Sequence, residues 1–537
     1  MNNSSDLYKK SKSSKYRRYF SQKNDIINEF ARYHIGTMEC ESPHVFKQWE
    51  RGVAGVPVFW DPITRTVYND NTDTHTLVIG PTGSKKSRLI AMPQVRIIGT
   101  AKENMIITDP KAEIYRRTAS FLESQGYTIR VINLRTPDLG DMWNPLLVPY
   151  KYYCNGDIDR AYEFVNDIAE NLMHSSGEHN NDPFWENSAA SFLFGLAILL
   201  FKYCKEKDLP EKYVTIQNLM RLGDKLLSQK PREAKDKPSI LWRYAKTDQI
   251  IENNLVGTIE TAEDTRGGII SVFKQKMRIF SIQPNLMKML SSNSFQLDEM
   301  ENMPTAIFLI LPDEKTGYHG IASLFIKQSY EYLIYLAQMM SNEIGTPGSL
   351  NRRVNYIIDE FASLPTIHDF PALITAARSR NIRFTLIIQS KHQLLQRYKE
   401  ETDTIMTNCA NWIVLTCREN SFLEEISAIC GRTEESPSFP IITPDSIQRL
   451  DKDTGEALLL AGRKRPFVTH LPDIDKYDDG VFAYRELKEI RKEDPPVLSF
   501  FEEEEKEEEE QKKHKLSRER FEFDKLLQSM KSEEEIK

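Results

Sequence analysis

Residues 75–88, His-Thr-Leu-Val-Ile-Gly-Pro-Thr-Gly-Ser-Lys-Lys-Ser-Arg, contain the pattern that decides the fold. The apolar run Thr76–Ile79 has the composition of a β-strand and stops at the first residue of the loop Gly80–Gly83. Lys86 and Ser87 then lead into a helical pattern. A strand that passes through a glycine-rich turn into a helix is typical of a phosphate-binding loop. On the pattern alone, the alternative is a chance Gly/Ser/Lys turn.

Each part of such a loop has a physical role. Glycine lets backbone N–H groups approach phosphate oxygens without a Cβ in the way, and the helix N-terminus adds a partial positive charge. Lys86 is predicted to reach the β- and γ-phosphates of ATP, and the Ser87 hydroxyl is predicted to bind Mg²⁺. The predicted nucleotide-binding residues are Gly80, Pro81, Thr82, Gly83, Ser84, Lys85, Lys86, Ser87 and Arg88.

Length and composition describe a multidomain globular protein. A chain of 537 residues exceeds one hydrophobic core and predicts about three domains. Hydrophobic and charged residues make up 40% and 28% of it, and the net charge of −7 does not by itself indicate nucleic-acid binding. The six cysteines lack metal-like spacing, so we expect reduced, mostly buried thiols of a cytoplasmic protein.

No uninterrupted apolar run in the sequence has the length of a membrane span. The N-terminus lacks the apolar region of a signal peptide, and the longest apolar run, Phe192–Phe201, has ten residues. A membrane span needs about 20 apolar residues. We therefore expect this run to be a buried core helix and the chain to be soluble on its own.

Both ends of the chain are strongly charged. Residues 1–50 are predicted to be a basic N-terminal arm, in which residues 1–24 carry seven basic residues, one acid and interleaved aromatics. This arm is either a solvated tail or a contact for anionic lipid, DNA or a membrane partner. Residues 495–537 are predicted to be an acidic and mixed-charge tail, with eight glutamates among the nine residues 502–510. It is either solvated or a docking site for a basic partner.

Between these ends, apolar runs alternate with helical patterns. A β-hairpin is predicted at Val56–Trp60 and Thr64–Tyr68. Further strands are predicted at Asn104–Thr108, Thr128–Leu134, Thr305–Leu311, Val354–Ile358, Arg383–Gln389, Asn411–Thr416 and Ala457–Ala461. These runs are near-continuous, as in strands covered on both faces, so the sequence predicts an α/β fold with a mainly parallel sheet.

The strand pattern is interrupted by a helical segment. Residues 155–298 are predicted to be an inserted all-α domain, which divides the α/β domain into residues 51–154 and 299–494. Its helices are predicted at Asp157–Met173, Trp185–Cys204, Ile216–Leu227 and Gln249–Ile282, with Gly267-Gly268 interrupting the last.

A second set of residues completes the predicted phosphate site. Asp359 and Glu360 follow a buried strand, where Asp359 is predicted to bind Mg²⁺ and Glu360 to polarise the attacking water. Gln389 ends the next strand and is predicted to sense the γ-phosphate or orient water. Arg378, on a predicted helix end, is the candidate arginine that reaches a neighbouring subunit's site; the alternative is a surface or DNA-facing arginine. The predicted catalytic residues are Lys86, Glu360, Gln389 and Arg378, and the predicted metal ligands are Ser87 and Asp359.

Seven motifs within residues 55–470 resemble those of the TraG-like coupling proteins of type IV secretion, the conjugative DNA-transfer ATPases. They are Gly-Pro-Thr-Gly-Ser-x-Lys-Ser (80–87), Asp-Pro-Lys-x-Glu (109–113), Trp-Asn-Pro-Leu (143–146), Asp-Pro-Phe-Trp-Glu (182–186), Asp-Glu-Phe-Ala-Ser-Leu-Pro (359–365), Ala-Arg-Ser-Arg (377–380) and Gln-Ser (389–390). The resemblance implies a RecA-like nucleotide-binding domain with an inserted all-α domain that contacts DNA or the relaxosome. It also implies a homo-hexamer that uses ATP and Mg²⁺ to move a relaxase-bound single DNA strand to a secretion channel.

The chain departs from this family in two respects. Lys85 stands where the family has its second glycine, so its side chain either crowds the loop or points outward. Family members usually begin with transmembrane helices, so a membrane-anchored subunit or the basic arm would hold this chain, otherwise cytoplasmic, at the inner face of the membrane. Two other functions remain open: an FtsK-like translocase on duplex DNA, and a non-hydrolysing adaptor that recruits substrates.

Overall fold

A computed structural model describes most of the chain. The described residues are 30–35, 39–41 (backbone only), 54–174, 183–228, 239–339, 348–432, 439–462, 464–477, 484–490 and 492–502, with 506, 510 and 513. Residues 1–24 of the predicted basic arm lie outside these ranges, as does most of the acidic run 502–510.

Contacts divide the chain into two compact units. The described residues of Met1–Pro145, His174–Asn180 and Gln283–Glu493 form the first unit. Those of Leu146–Met173, Asn181–Ile282 and Asp494–Lys537 form the second. A helical segment is thus inserted between two parts of a strand-rich unit, and the domain limits given above remain predictions.

The first unit is built on a nine-stranded sheet with the strand order β13-β12-β11-β5-β10-β9-β6-β8-β7. Its strands are β5 (Thr76–Ile79), β6 (Asn104–Asp109), β7 (Thr128–Asn133), β8 (Thr305–Ile310), β9 (Val354–Ile358), β10 (Ile382–Ile388), β11 (Asn411–Val414), β12 (Glu456–Ala461) and β13 (Phe467–His470). From β11 to β7 neighbouring strands run parallel, and β12 and β13 add antiparallel pairs at one edge. The prediction of a mainly parallel sheet is confirmed, whereas β13 was not predicted.

Burial explains why these segments form strands. Every residue of β5, β6, β8, β9 and β10 is buried. A parallel strand covered on both faces needs apolar side chains in both directions, so its sequence is near-continuously apolar instead of alternating.

A second, four-stranded antiparallel sheet precedes the phosphate loop, with the order β2-β1-β4-β3. It contains β1 (Ala31–His34), β2 (Glu39–Glu41), β3 (Val56–Asp61) and β4 (Thr66–Asp70). The pair β3–β4 is the predicted hairpin. Strands β1 and β2 lie within the segment 1–50 that was assigned to the basic arm, and neither strand was predicted. They are short, and β2 is only three residues long, which leaves little periodicity to detect.

Helices cover the strands of the first unit. They are α1 (Met92–Ala101), which continues a π-helical turn at Ser87–Ala91, α2 (Glu113–Ser124), α10 (Pro284–Met289), α11 (Glu299–Asn302), α12 (His319–Met339), α13 (Phe370–Ala377), α14 (Lys391–Tyr398), α15 (Thr402–Asn408), α16 (Asn420–Ile429) and α17 (Pro444–Gln448). A short 3₁₀ turn at Phe361–Ser363 follows β9, and another at Arg378–Arg380 precedes β10.

The described part of the second unit is helical. It contains α3 (Leu147–Asn155), α4 (Ile158–Met173), α5 (Phe184–Glu206), α6 (Ile216–Ser228), α7 (Ile240–Ala245), α8 (Gln249–Ile259) and α9 (Glu263–Ile282). Helix α4 buries Ala161, Phe164, Val165, Ile168, Ala169 and Leu172 on one side. These residues recur every three or four positions, which is the pattern of a helix that packs one face on a core.

One described helix, α5, is long and apolar enough to cross a membrane by length and composition alone. Of its most apolar window, 67% is buried inside the structure. The ten residues Phe192–Phe201 are all buried, which confirms the prediction of a buried helix there. The helix has 23 residues and is therefore longer than the apolar run suggested.

The first described residues of the predicted tail pack on the second unit. Leu498, Phe500 and Phe501 are buried, and the rings of Phe500 and Phe501 lie 5.1 and 5.0 Å from the ring of Tyr203. The Leu498 N–H donates to the side chain of Asn218 at 3.0 Å. The tail therefore begins as an anchored segment, and this packing was not predicted.

The predicted interruption at Gly267-Gly268 is wrong. Both glycines lie inside α9, and the break falls between Ile259 and Glu263. A Cβ built on Gly268 would lie 2.3 Å from Cζ3 of Trp185, whereas one on Gly267 would meet no atom within 4 Å. Gly268 is therefore required by the close approach of an indole ring and not by a bend in the helix.

The two glycines give a matched pair of substitutions. Gly267→Ala should raise the free energy of unfolding by up to about 1 kcal/mol, because alanine is the better helix former and the site is open. Gly268→Ala should lower it by about 1–3 kcal/mol, because the new methyl group displaces the Trp185 ring. Denaturant unfolding of the two variants measures both changes. Equal shifts of the same sign would show that Trp185 does not pack on Gly268.

Candidate functional site

Four neighbouring parallel strands end at one edge of the nine-stranded sheet. The residues after β5 form the loop 80–87, and those after β10 and β9 are Gln389 and the pair Asp359-Glu360. Asp109 is the last residue of β6. Because the carboxyl ends of parallel strands face the same way, side chains far apart in sequence meet here.

The loop after β5 closes around the Lys86 ammonium group. Gly83 has a φ of +82°, a left-handed conformation that glycine adopts without strain. Lys86 is buried, and its Nζ donates to the carbonyl oxygen of Gly80 at 2.7 Å and to that of Pro81 at 3.3 Å. Burial lowers the pKa of Lys86, and the nearby carboxylates of Glu360 and Asp359 oppose that effect.

Ser87 and Asp359 are in direct contact across the edge. The Ser87 hydroxyl donates to Oδ2 of Asp359 at 2.8 Å. Burial, followed by the neighbouring Glu360, raises the pKa of Asp359 to about 6, while the Ser87 hydroxyl and Lys86 act in the opposite direction. The two oxygen atoms fit a small hard cation, which prefers hydroxyl, carboxylate and phosphate ligands.

Glu360 and Gln389 form a second contact in the same place. The Gln389 amide donates from Nε2 to Oε2 of Glu360 at 2.8 Å. Glu360 has a φ of +56°, which is uncommon for a residue with a side chain and is often found where function requires a particular orientation. The Gln389 amide therefore holds the Glu360 carboxylate in the cleft beside the phosphate loop.

A cleft of about 270 Å³ lies between these groups. Its lining includes Thr82, Ser87, Asp359, Glu360 and Gln389, which were predicted from sequence. It also includes Asp109, Pro110, Lys111, Glu113, Ile114, Leu311, Asp313, His319, Ser363 and Leu364, which were not assigned to the site. Asp109 and Asp313 could have been found, because each lies at or just after the end of an apolar strand, as Asp359 does.

Asp109 is the second buried carboxyl group in the cleft. Burial raises its pKa to about 7, although Oδ2 accepts the backbone N–H of Tyr115 at 2.8 Å. Asp359 adds to the shift by repulsion. The cleft thus contains two buried carboxyl groups, Asp109 and Asp359, whose charged forms are disfavoured by burial.

His319 had no signal in the sequence. It is buried at the start of α12, with Nε2 lying 2.8 Å from the carbonyl oxygen of Pro312 and Nδ1 3.1 Å from that of Ser363. These contacts connect the segment after β8 to the turn after Asp359 and Glu360. His319 therefore holds together two segments that line the cleft, the one after β8 and the one after Glu360.

Two of the residues predicted to bind nucleotide direct their side chains elsewhere. Lys85 has a φ of +65° and its Nζ lies 2.8 Å from Oδ1 of Asp453. Arg88 donates from Nε to Asp473 at 2.9 Å and also contacts Asp475. Neither residue lines the cleft. The Lys85 side chain points outward, which decides between the two orientations left open by the sequence.

Arg378 lies at the opposite edge of the sheet. It precedes β10, and its guanidinium donates to Asp73, which precedes β5, at 3.1 Å. Its side chain is 49% exposed. Thr74, His75 and the four residues of β5 separate Asp73 from the phosphate loop, and β5 alone spans roughly 13 Å of extended chain. The structure therefore does not bring Arg378 to the cleft of its own chain.

Solved structures of the plasmid coupling protein TrwB have a similar fold. A form in complex with the ATP analogue ADPNP has a TM-score of 0.55 at 15% identity, with 78% of this chain and 89% of that chain covered. A form in complex with ADP and Mg²⁺ has a TM-score of 0.52 at 14% identity, with 80% and 88% covered. At these identities the likeness concerns the fold alone, and it confirms the predicted RecA-like α/β fold with an all-α domain.

Sequence comparison identifies the family. A probable conjugal transfer protein TraG of Sinorhizobium fredii is 20% identical over 421 residues, which are 73% of this chain. The chain spans about three fifths of the length of that relative, 61% of which is covered. The family model described as "Type IV secretory system Conjugative DNA transfer" matches residues 12–439, which is most of the chain. The chain belongs to this conjugative DNA-transfer family of type IV secretion.

Proposed function

We propose that the chain is an ATP-hydrolysing coupling protein, which recruits a relaxase–DNA substrate and drives it to a type IV secretion channel. The observation that carries this proposal is that Ser87, Asp359, Glu360 and Gln389 line one cleft, while the buried Lys86 is close enough to interact with the carboxylates of Asp359 and Glu360. These are the residue types that bind a nucleotide triphosphate and position water for its hydrolysis. Family membership supplies the substrate class.

Lys86 and the loop 80–87 would bind the phosphates. The two carbonyl contacts of the Lys86 ammonium group are ones that phosphate oxygens can replace, with a gain in charge complementarity. Ser84 also contributes, since its hydroxyl is buried and has no hydrogen-bond partner among the described residues. The TrwB structures in complex with ADPNP and with ADP and Mg²⁺ support nucleotide binding by this chain.

Ser87 and Asp359 would hold Mg²⁺, which when bound neutralises charge on the phosphates. Within the described ranges no group of three or more His, Cys, Asp or Glu side chains could hold a metal ion. A site with one hydroxyl and one carboxylate agrees with this, because Mg²⁺ in such sites takes its other ligands from phosphate and water.

Glu360 would orient and polarise the attacking water. Its carboxylate is held by the Gln389 amide, so a change in the hydrogen bonds of Gln389 moves or releases Glu360. Gln389 thereby connects the γ-phosphate to the catalytic carboxylate. Most of the rate would come from positioning and charge stabilisation, since phosphoryl transfer requires little covalent work from the protein.

Arg378 would act on a neighbouring subunit. Its place at the far edge, paired with Asp73, keeps it from the phosphate loop of its own chain. An arginine that stabilises the transition state can be supplied by another chain, which makes turnover depend on assembly. We therefore propose a homo-hexamer as the active form.

The remaining partners follow from the family. The helical unit would contact the single DNA strand, its relaxase or the relaxosome, and a membrane-anchored subunit would hold this otherwise cytoplasmic chain at the inner face of the membrane. The non-hydrolysing adaptor had Lys85 as its only support. Because the Lys85 side chain points to Asp453, that support is removed.

Substitutions in the cleft test hydrolysis. Lys86→Ala should abolish ATP turnover and weaken nucleotide binding, because it removes the cation that faces the phosphates. Glu360→Gln should abolish turnover while nucleotide still binds, because only the water-polarising carboxylate is lost. A DNA-stimulated ATPase assay and nucleotide titration measure the two effects. Wild-type protein without ATPase activity, with or without DNA, would contradict the proposal.

Lys85 offers a contrast with its neighbour. Lys85→Gly should change ATP turnover by less than about tenfold, or roughly 1.4 kcal/mol in the barrier, because its ammonium group pairs with Asp453 and not with phosphate. Asp453→Asn is the matched control and should have an equally small effect. If Lys85→Gly lost as much activity as Lys86→Ala, the lysine would have to turn inward during the reaction.

Mixed assemblies test Arg378. Arg378→Ala should bind ATP normally but lose about 10³-fold or more in turnover. If the arginine acts across an interface, mixing Arg378→Ala with Glu360→Gln creates sites in which both residues are intact, so activity should exceed that of either variant alone.

Arg380 is the matched control for this experiment. It lies in the same 3₁₀ turn as Arg378 but donates to the carbonyl oxygen of Gly348 at 3.0 Å. Arg380→Ala should retain most of the turnover. Absence of rescue in assemblies shown to be mixed would leave Arg378 as a structural residue.

A further inference from the structure

A second cleft lies at the carboxyl ends of β7 and β8, beside the end of β6. Its volume is about 460 Å³. The lining includes Asn133, the last residue of β7, and Ile310, the last residue of β8. Lys111 and Asp313 line both this cleft and the one at the phosphate loop. The two clefts are therefore neighbours along one sheet edge.

The second cleft is cationic. Lys111, Arg116 and Arg135 line it together with one acid, Asp313, so the lining side chains carry a net charge of +2; Glu314 and Glu486, which pair with the two arginines, lie outside the lining. A phosphate monoester carries a charge of about −1.5 to −2, and arginine presents paired N–H groups that fit its oxygens. The charge thus matches a phosphate better than it matches a single carboxylate.

The arginines are paired with acids that water can reach. Arg135 lies 2.6 Å from Asp313 and 3.0 Å from Glu314, whose side chains are 46% and 56% exposed. Arg116 lies 3.7 Å from Glu486, which is 80% exposed. Exposed ion pairs contribute little to stability, so a dianionic ligand can replace these carboxylates.

Asn133 provides an unused donor. Its Oδ1 accepts the backbone N–H groups of Arg135 at 3.1 Å and Thr136 at 3.0 Å, which fixes the orientation of the amide. Its Nδ2 is buried and has no hydrogen-bond partner among the described residues. A buried donor without a partner is unfavourable, and an acceptor on a ligand would satisfy it.

Apolar side chains form another part of the wall. Leu139, Ile310 and Leu487 line the cleft, and Leu487 belongs to a segment in which Glu489 forms a β-bridge with Leu139. Apolar side chains next to cationic ones suit a ligand that combines a planar or aliphatic group with a phosphate group. A nucleotide has this combination.

We propose that this cleft binds the phosphate of a second nucleotide unit, separate from the nucleotide at the phosphate loop. The unit is either a free nucleotide or one nucleotide of a DNA strand, since both present the same phosphate and base. Because Lys111 and Asp313 line both clefts, a ligand in the second cleft shares two residues with the hydrolysis site. This site goes beyond the function proposed above.

The test uses the full chain saturated with ADP and Mg²⁺, titrated with thymidine 5′-monophosphate in a calorimeter. One monophosphate per chain should bind, and thymidine, which lacks the phosphate, should not. Arg116→Gln combined with Arg135→Gln should weaken binding at least tenfold.

A ten-nucleotide thymidine oligomer distinguishes the two sources of the phosphate. If it binds at least tenfold more tightly than the monophosphate, and the same variant weakens its binding, the source is the DNA strand. Equal affinities would identify the free nucleotide.

Arg449 supplies the matched control. It is a surface arginine, 62% exposed, that pairs with Asp445 at 3.0 Å on α17 and lines neither cleft. Arg449→Gln should change monophosphate affinity less than twofold. Equal binding of thymidine and its monophosphate to wild-type protein would overturn the proposal without any variant. An equal loss in Arg449→Gln and the double variant would also overturn it, because the effect would then be one of overall charge.

Discussion

The common direction of β5, β10, β9 and β6 is the constraint on which the site depends. In a parallel register, the residues that follow each strand are delivered to one edge, however far apart they lie in the chain. The Ser87 hydroxyl reaches Asp359 across 272 positions in this way. An antiparallel neighbour would turn one of these groups to the opposite edge, and the contact would be lost.

Burial at this edge determines the chemistry of the groups that meet there. Taking Lys86 out of water lowers its pKa, and taking Asp359 and Asp109 out of water raises theirs to about 6 and about 7. Lys86 and Asp359 are close enough for their opposite charges to interact, and this interaction is stronger than it would be in water. A nucleotide phosphate would enter a place where donors and acceptors are already oriented, which is how such sites stabilise charge.

The sequence was informative wherever the signal was local. Val354–Ile358 could be recognised as a strand because burial of every residue gives it a near-continuously apolar sequence. Asp359 could be recognised as a site residue because it follows that strand. The outward direction of Lys85 could not be recognised, since its partner Asp453 is 368 positions away. The interruption predicted at Gly268 was wrong for the same reason, namely a partner that is distant in sequence. Gly268 contacts Trp185 in another helix, whereas the local pattern within α9 suggested only a helix breaker.

The opposite edge of the sheet is fixed by a buried charge network of its own. Arg383 at the start of β10 donates to Asn355 Oδ1 at 2.8 Å and to the carbonyl oxygen of Thr72 at 2.9 Å, and it lies 3.5 Å from Glu103. Burial lowers the pKa of Arg383 to about 10. The contact with Thr72 fixes the chain next to Asp73, the partner of Arg378. Hydrogen bonds thus fix the chain before β5, and Arg378 lies at the edge opposite its own phosphate loop. Under the proposed function, Arg378 would add its positive charge to the cleft of another chain, beside the Lys111 that each chain supplies to its own cleft.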